Sequence, residues 1–184
     1  MKLYTRFIAF TFAIFAFSFV NVSAQGLSGD AAATTALGQQ VFKKILRLPY
    51  YEVYDHIGFS IDGSTVTLTG KVRNGVNRSD AKAAVERIPG VTNVINNIEI
   101  LPPSRFDDDI RRALYARIAN TGGLSGYIWP NNPAVRLIVD NGRISLEGTV
   151  RHRGDYDTMN IIARSIPNSF AVTNNLQIEN DRPN

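Results

Sequence analysis

Cysteine is absent from the 184 residues. That excludes disulfides, cysteine-ligated zinc, thiol catalysis and a lipid-modified cysteine behind a leader. Histidine occurs only as His56 and His152, and neither has another histidine or an acid at metal-ligand spacing. No glycine-rich loop has phosphate-cradle spacing after a strand, and there is no G-x-S-x-G elbow. The sequence therefore offers no catalytic, cofactor or metal constellation, and a non-enzymatic protein is expected. A dominant charge is lacking too, with 20 basic against 16 acidic side chains and a net charge of +4.

Long apolar runs are lacking as well, apart from Phe7 to Val20. That run follows Lys2 and Arg6, and Val22-Ser23-Ala24 after it places small residues at the −3 and −1 positions. A spanning helix needs about 20 apolar residues. The pattern predicts a signal peptide cleaved before Gln25, hence a periplasmic or secreted chain with no transmembrane segment after processing. Loss of Lys2 and Arg6 lowers the net charge from +4 to +2. So small a surplus over about 160 residues does not predict nucleic-acid binding.

What the chain does have is a repeat. Asp62–Ile100 and Asp140–Ile178 align without a gap at an offset of 78. Val66-Thr-Leu-Thr-Gly-Lys-Val-Arg73 matches Ile144-Ser-Leu-Glu-Gly-Thr-Val-Arg151, and Ile88-Pro89 matches Ile166-Pro167. In each copy Val66, Leu68, Gly70, Val72 and Ile144, Leu146, Gly148, Val150 alternate as one face of a half-buried strand. The inward glycine implies close approach of a helix or backbone. Thr69 and Glu147 fall on the outer face. Apolar segments 57–61 and 135–139, followed by Asp-Gly and Asp-Asn-Gly, predict hairpins.

Ala81, Ala84, Val85, Ile88 and Met159, Ile162, Ala163, Ile166 share helical spacing. Asn77 and Asp155 are the expected N-caps, Val76 a staple, and Pro89 and Pro167 the stops. An upstream helix carries Leu37, Val41, Ile45 and Leu48 in one copy, and Ile110, Leu114 and Ile118 in the other. Asp107-Asp108-Asp109 opens the latter and reads as capping and dipole complement rather than metal.

The expected fold is α+β, two tandem αββαβ modules. Each is a three-stranded mixed sheet with two helices on one face and a right-handed parallel crossover. The expected division is 1–24 signal peptide, 25–101 first module, 102–105 a short proline-containing linker, 106–179 second module and 180–184 tail. So short a linker predicts modules that touch.

Val66-x-Leu68-x-Gly70-x-Val72, a helix, then Gly90-Val91-x-x-Val94-x-Asn96-x-Ile98 resembles the BON module of bacterial osmotically induced and nodulation proteins. The second copy keeps Leu146-x-Gly148-x-Val150 and Val172-x-Asn174-x-Leu176, but has Asn168-Ser169 where the family has Gly-Val. The resemblance spans about Leu37 to Ile178. It implies an envelope protein with roles in envelope maintenance and osmotic or other envelope stress, and binding to phospholipid surfaces.

Three features invite a partner. Pro49-Tyr50-Tyr51-Glu52-Val53-Tyr54 either packs beneath the first helix or binds something. In the second copy about nine extra residues separate helix from hairpin and include Gly126-Tyr127-Ile128-Trp129-Pro130, with the single tryptophan. Tyr127, Ile128 and Trp129 either form an exposed contact tip or plug the core. Arg151 and Arg153, just before a helix start, are candidate anion partners. The expected partner is an anionic phospholipid surface; the alternative is a chaperone-like or structural module engaging exported proteins.

Overall fold

The computed structural model describes residues 27–130 and 132–179, so the leader and tail expectations lie outside the described residues. The first unit runs α1 (Leu27–Ile45), β1 (His56–Asp62), β2 (Thr65–Val72), α2 (Gly75–Glu86) and β3 (Asn93–Ile100). The second runs α3 (Arg105–Ala119), a one-turn 3₁₀ segment Ser125–Ile128, β4 (Val135–Asp140), β5 (Arg143–Val150), α4 (Arg153–Arg164) and β6 (Ala171–Ile178). The sheets are ordered β1-β2-β3 and β4-β5-β6. In each, the hairpin is antiparallel and the crossover pair parallel, and Leu68 and Leu146 pair with Asn96 and Asn174. The chain is thus α+β, two tandem modules of three-stranded mixed sheet.

The repeat positions do the same work in both copies. Leu68, Val72, Leu146 and Val150 are wholly buried, and Ile88 and Ile166 nearly so. Gly70 and Gly148 adopt φ +115 and +114, and a Cβ there would sit 2.2 and 2.0 Å from the carbonyl oxygens of His56 and Ala134. The approaching group is therefore backbone. Asn168 takes φ 65 where Gly90 takes φ 94. Asparagine tolerates the left-handed region, so the departure from Gly-Val leaves the turn intact.

Several expectations are corrected. The helices begin earlier than Asn77 and Asp155. Asn74 caps α2, its side chain accepting from Val76 N, and His152 occupies the cap position of α4 without a side-chain bond. Glycine at Gly75 and Gly154 did not deter the first turn. Asn77 is buried inside α2 instead, and Val76 is exposed rather than stapled. Leu48 is buried beyond the end of α1. Ser104 caps α3, while Asp107 accepts from Asn141 N and Gly142 N at 3.0 and 2.7 Å and so holds the next hairpin turn. Glu147 is half-buried, because the outer face of β5 approaches the first module.

Asn96 and Asn174 share one further role. Their side-chain oxygens accept from Ile98 N and Leu176 N, two residues on, at 3.3 and 3.2 Å. Leu101 N and Glu179 N donate back to Val72 O and Val150 O. By strand parity, the N–H groups of Ile98 and Leu176 therefore point to the free sheet edge. The asparagine amides also donate to Arg78 O and Tyr156 O, tying that edge to the helix.

The modules touch through the tyrosine-rich connector. Val53 lies in the core of the second module, with Tyr54 packed against it. Leu137 N, on the edge of β4, donates to Val53 O at 2.8 Å. Arg136, 5% exposed, donates to Glu52 O at 2.9 Å and lies 4.1 Å over the Tyr51 ring. Lys71 pairs with Asp140 at 2.5 Å. The connector thus divides: Val53 and Tyr54 pack into the second module, while Tyr51 packs against the core of the first, its hydroxyl accepting from Ile57 N at 2.9 Å.

Candidate functional site

The insertion of the second module follows α3 and makes one 3₁₀ turn before β4. A turn of this kind sends successive side chains in different directions, and the three candidates separate accordingly. Ile128 points inward and is 1% exposed, a core residue. As part of a contact tip it is a correction: it is the plug. Trp129 points outward and is 66% exposed. Tyr127 lies between, half-buried, its hydroxyl donating to Asp155 Oδ2 at 2.6 Å and accepting from Arg151 N at 3.0 Å. Desolvation, then the bond to Asp155, pushes the Tyr127 phenol above its usual range.

The hydroxyl of Tyr127 therefore brings Arg151 to the loop that carries Trp129. A shallow cavity of about 200 Å³ lies there, bounded by Gly126, Tyr127, Ala134, Thr149, Arg151 and Glu179. The Arg151 side chain is exposed and enters no ion pair among the described residues. Arg153 is exposed but engaged, 3.3 Å from Asp157 and 5.0 Å over the Tyr156 ring. Geometry thus joins Tyr127 to Arg151, leaves Trp129 exposed two residues further along the same loop, and leaves Arg153 partly neutralised. The surface offers an indole, a guanidinium and no buried reactive group. That combination suits adhesion to a surface with apolar and anionic parts.

The first module makes the same clasp from different atoms. Asp55 accepts from Arg73 N at 2.7 Å, the equivalent of Arg151 N, and from Asn77 Nδ2 at 3.0 Å, the equivalent of Asp155. A carboxylate on one connector and a phenol on the other join the end of a strand to the helix that follows. Burial raises the Asp55 carboxyl above its ordinary range against the pull of its backbone donors. These roles were not legible, because the two connectors differ in length and share no residue there. Arg136 left a trace, as a charge inside the apolar run Val135–Val139.

Among the described residues no helix is long and apolar enough to cross a membrane. A second apolar surface lies on the second module. Phe106 and Phe170 stack with centroids 5.8 Å apart, both exposed, at the Gly142 turn.

No curated protein matches the chain. Among solved structures, it is similar to the C-terminal domain of CdsD, a structural protein of the type III secretion system of Chlamydia trachomatis. That match has 13% identity and a TM-score of 0.31, and covers 76% of this chain and 96% of that one. A second CdsD structure matches at 13% identity and a TM-score of 0.30, over 77% of this chain and 91% of that one. The model of the BON domain matches twice, at residues 29–102 and 106–180. The chain belongs to the BON-domain family and carries two BON domains in tandem.

Proposed function

We propose that this is a non-enzymatic envelope protein that attaches to membrane surfaces containing anionic phospholipid, with Trp129 as the apolar contact and Arg151 as its cationic neighbour. The observation that carries the reading is the division of one short turn: Ile128 anchors it in the core while Trp129 stands 66% exposed. Exposing so large an apolar side chain gains nothing for the fold, and Arg151, bonded through its backbone to the same loop, has no ion-pair partner among the described residues. At a bilayer interface, the indole occupies the headgroup boundary and the guanidinium meets phosphate. Arg153 contributes less, since Asp157 competes for it. Export through the leader and a module boundary at residues 102–105 belong to the same proposal.

The test is flotation of the processed chain with vesicles, with and without anionic lipid. Binding to anionic vesicles, a blue shift of Trp129 fluorescence on binding and weakening by salt are expected. Trp129→Ala should lose most of the binding and little stability. Emission already blue in buffer and unchanged by vesicles would exclude this surface. The stacked pair Phe106 and Phe170 favours a second reading, a docking module for exported proteins. Binding through that apolar area should persist in high salt and survive Trp129→Ala.

A further inference from the structure

A separate cavity, of about 210 Å³, lies at the module junction. Arg73, at the end of β2, forms one wall; Pro102, Pro103, Ser104, Asp108 and Arg111 form the rest. Both modules thus contribute a guanidinium. Arg111 is 3% exposed. Its Nη1 donates to Asp108 Oδ1 at 2.7 Å and its Nη2 to the carbonyl of Val139. Its Nε is shielded from solvent and has no acceptor among the described residues. A buried donor left unmet destabilises the fold and favours any acceptor that can reach it. Arg73 Nη2 approaches the same Asp108 Oδ1 at 3.1 Å. Two arginines from two modules therefore converge on one carboxylate oxygen, at the first turn of the 15-residue helix α3. Ser104 already takes the N–H groups of Asp107 and Asp108, so what the helix start adds is the positive end of its dipole, which favours negative charge.

We propose that this junction binds a phosphate monoester or inorganic phosphate between Arg73 and Arg111, with the Asp108 carboxylate standing where a phosphate oxygen goes. A phosphate dianion can engage both guanidinia at once, whereas of the two carboxylates present only Asp108 reaches both and Glu52 reaches Arg73 alone. Asp108 is itself a third exposed, with solvent on its open side. Among the described residues, the exposed Glu52, 3.8 Å from Arg73, is the one other acid paired with these arginines. Arg111, already buried and held by Asp108 and the Val139 carbonyl, is the fixed half of the fork. Arg73, more exposed, is the half that adjusts. Occupancy would tie the modules together, since each supplies one arginine.

The bland reading is an ion triad that only clasps the modules. The two readings give opposite signs for Asp108→Asn. As an anion site, removal of the competing carboxylate tightens phosphate binding about five-fold or more, and Arg73→Gln weakens it about tenfold or more. As a clasp alone, Asp108→Asn lowers stability and phosphate affinity does not rise. Calorimetric titration of the processed chain with inorganic phosphate and with glycerol 3-phosphate, against chloride of equal ionic strength, reads both variants. Phosphatidic acid vesicles form a separate arm. A response to vesicles alone, lost in Arg73→Gln, would reassign the junction to a lipid headgroup and overturn the free-phosphate proposal. Equal responses to phosphate and chloride, or an unchanged affinity in Asp108→Asn, would overturn it outright. Arg73→Gln leaves Trp129 and Arg151 untouched, so the vesicle-surface proposal stands or falls separately.

Discussion

Single side chains in this protein divide sharply by direction. Leu146 is wholly buried on β5 while Trp129, far larger, is mostly in solvent. Leu146→Ala should cost about 2–5 kcal/mol, since the rigid sheet and helices around it cannot close the void. Trp129→Ala should change stability by less than about 1 kcal/mol. Urea melts of the two variants check both, and a large loss in Trp129→Ala would mean the indole is packed. The alternation that buries Leu146 was plain in the sequence, because strand periodicity reports a face directly. The outward turn of Trp129 was not: three apolar residues in a loop carry no period, so plug and tip looked alike. Glu147 was misplaced for another reason. Strand parity places it on the outer face, and only the neighbouring module decides whether that face is dry.

At the scale of elements, the hairpins, crossovers and helix order followed from the repeat, because gapless alignment forces equivalent residues into equivalent roles. Helix starts were legible only approximately. Asn77 and Asp155 have the chemistry of caps, yet both lie within the first turn and serve the clasp with Asp55 or Tyr127. Local chemistry and a tertiary bond compete for the same side chain, and here the tertiary bond wins. The turn from α4 into β6 gives a sharper case. Asn168 holds φ 65. Asn168→Gly should be nearly neutral. Asn168→Val should cost about 1–2 kcal/mol, the steric penalty of a Cβ in the left-handed region. Thermal melts of the pair measure the difference; equal melting temperatures would mean that the backbone relaxes.

For the whole molecule, contact between modules was foreseeable from a linker of four residues, but its chemistry was not. Val53 and Arg136 act across sequence separations that no local pattern encodes. His56 sits in that junction. Burial lowers its pKa below 6.5, Arg136 pushes the same way, and Glu147 opposes. The sign follows from linkage: the folded state binds the proton less readily than the unfolded chain. Its contribution is therefore present above pH 6.5 and is lost as pH falls through the lower folded value. Asp55, whose pKa is raised, contributes the opposite slope from pH 3.8 upward, so the wild-type curve alone mixes the two. Comparison with His56→Gln isolates the histidine. The stability advantage of wild type should shrink below pH 6.5, and a constant difference from pH 5 to 8 would place His56 in water.

The asparagine pair on β3 and β6 has a consequence for crowding. β6 is eight residues long with no charge, proline or glycine, the composition that invites one chain to template another. A foreign strand adding to that edge needs the outward N–H of Leu176, which Asn174 already holds. The same device recurs in each module, so on both edge strands, neither of which carries lysine or proline, an inner asparagine rather than a surface charge occupies the group that a foreign strand would need.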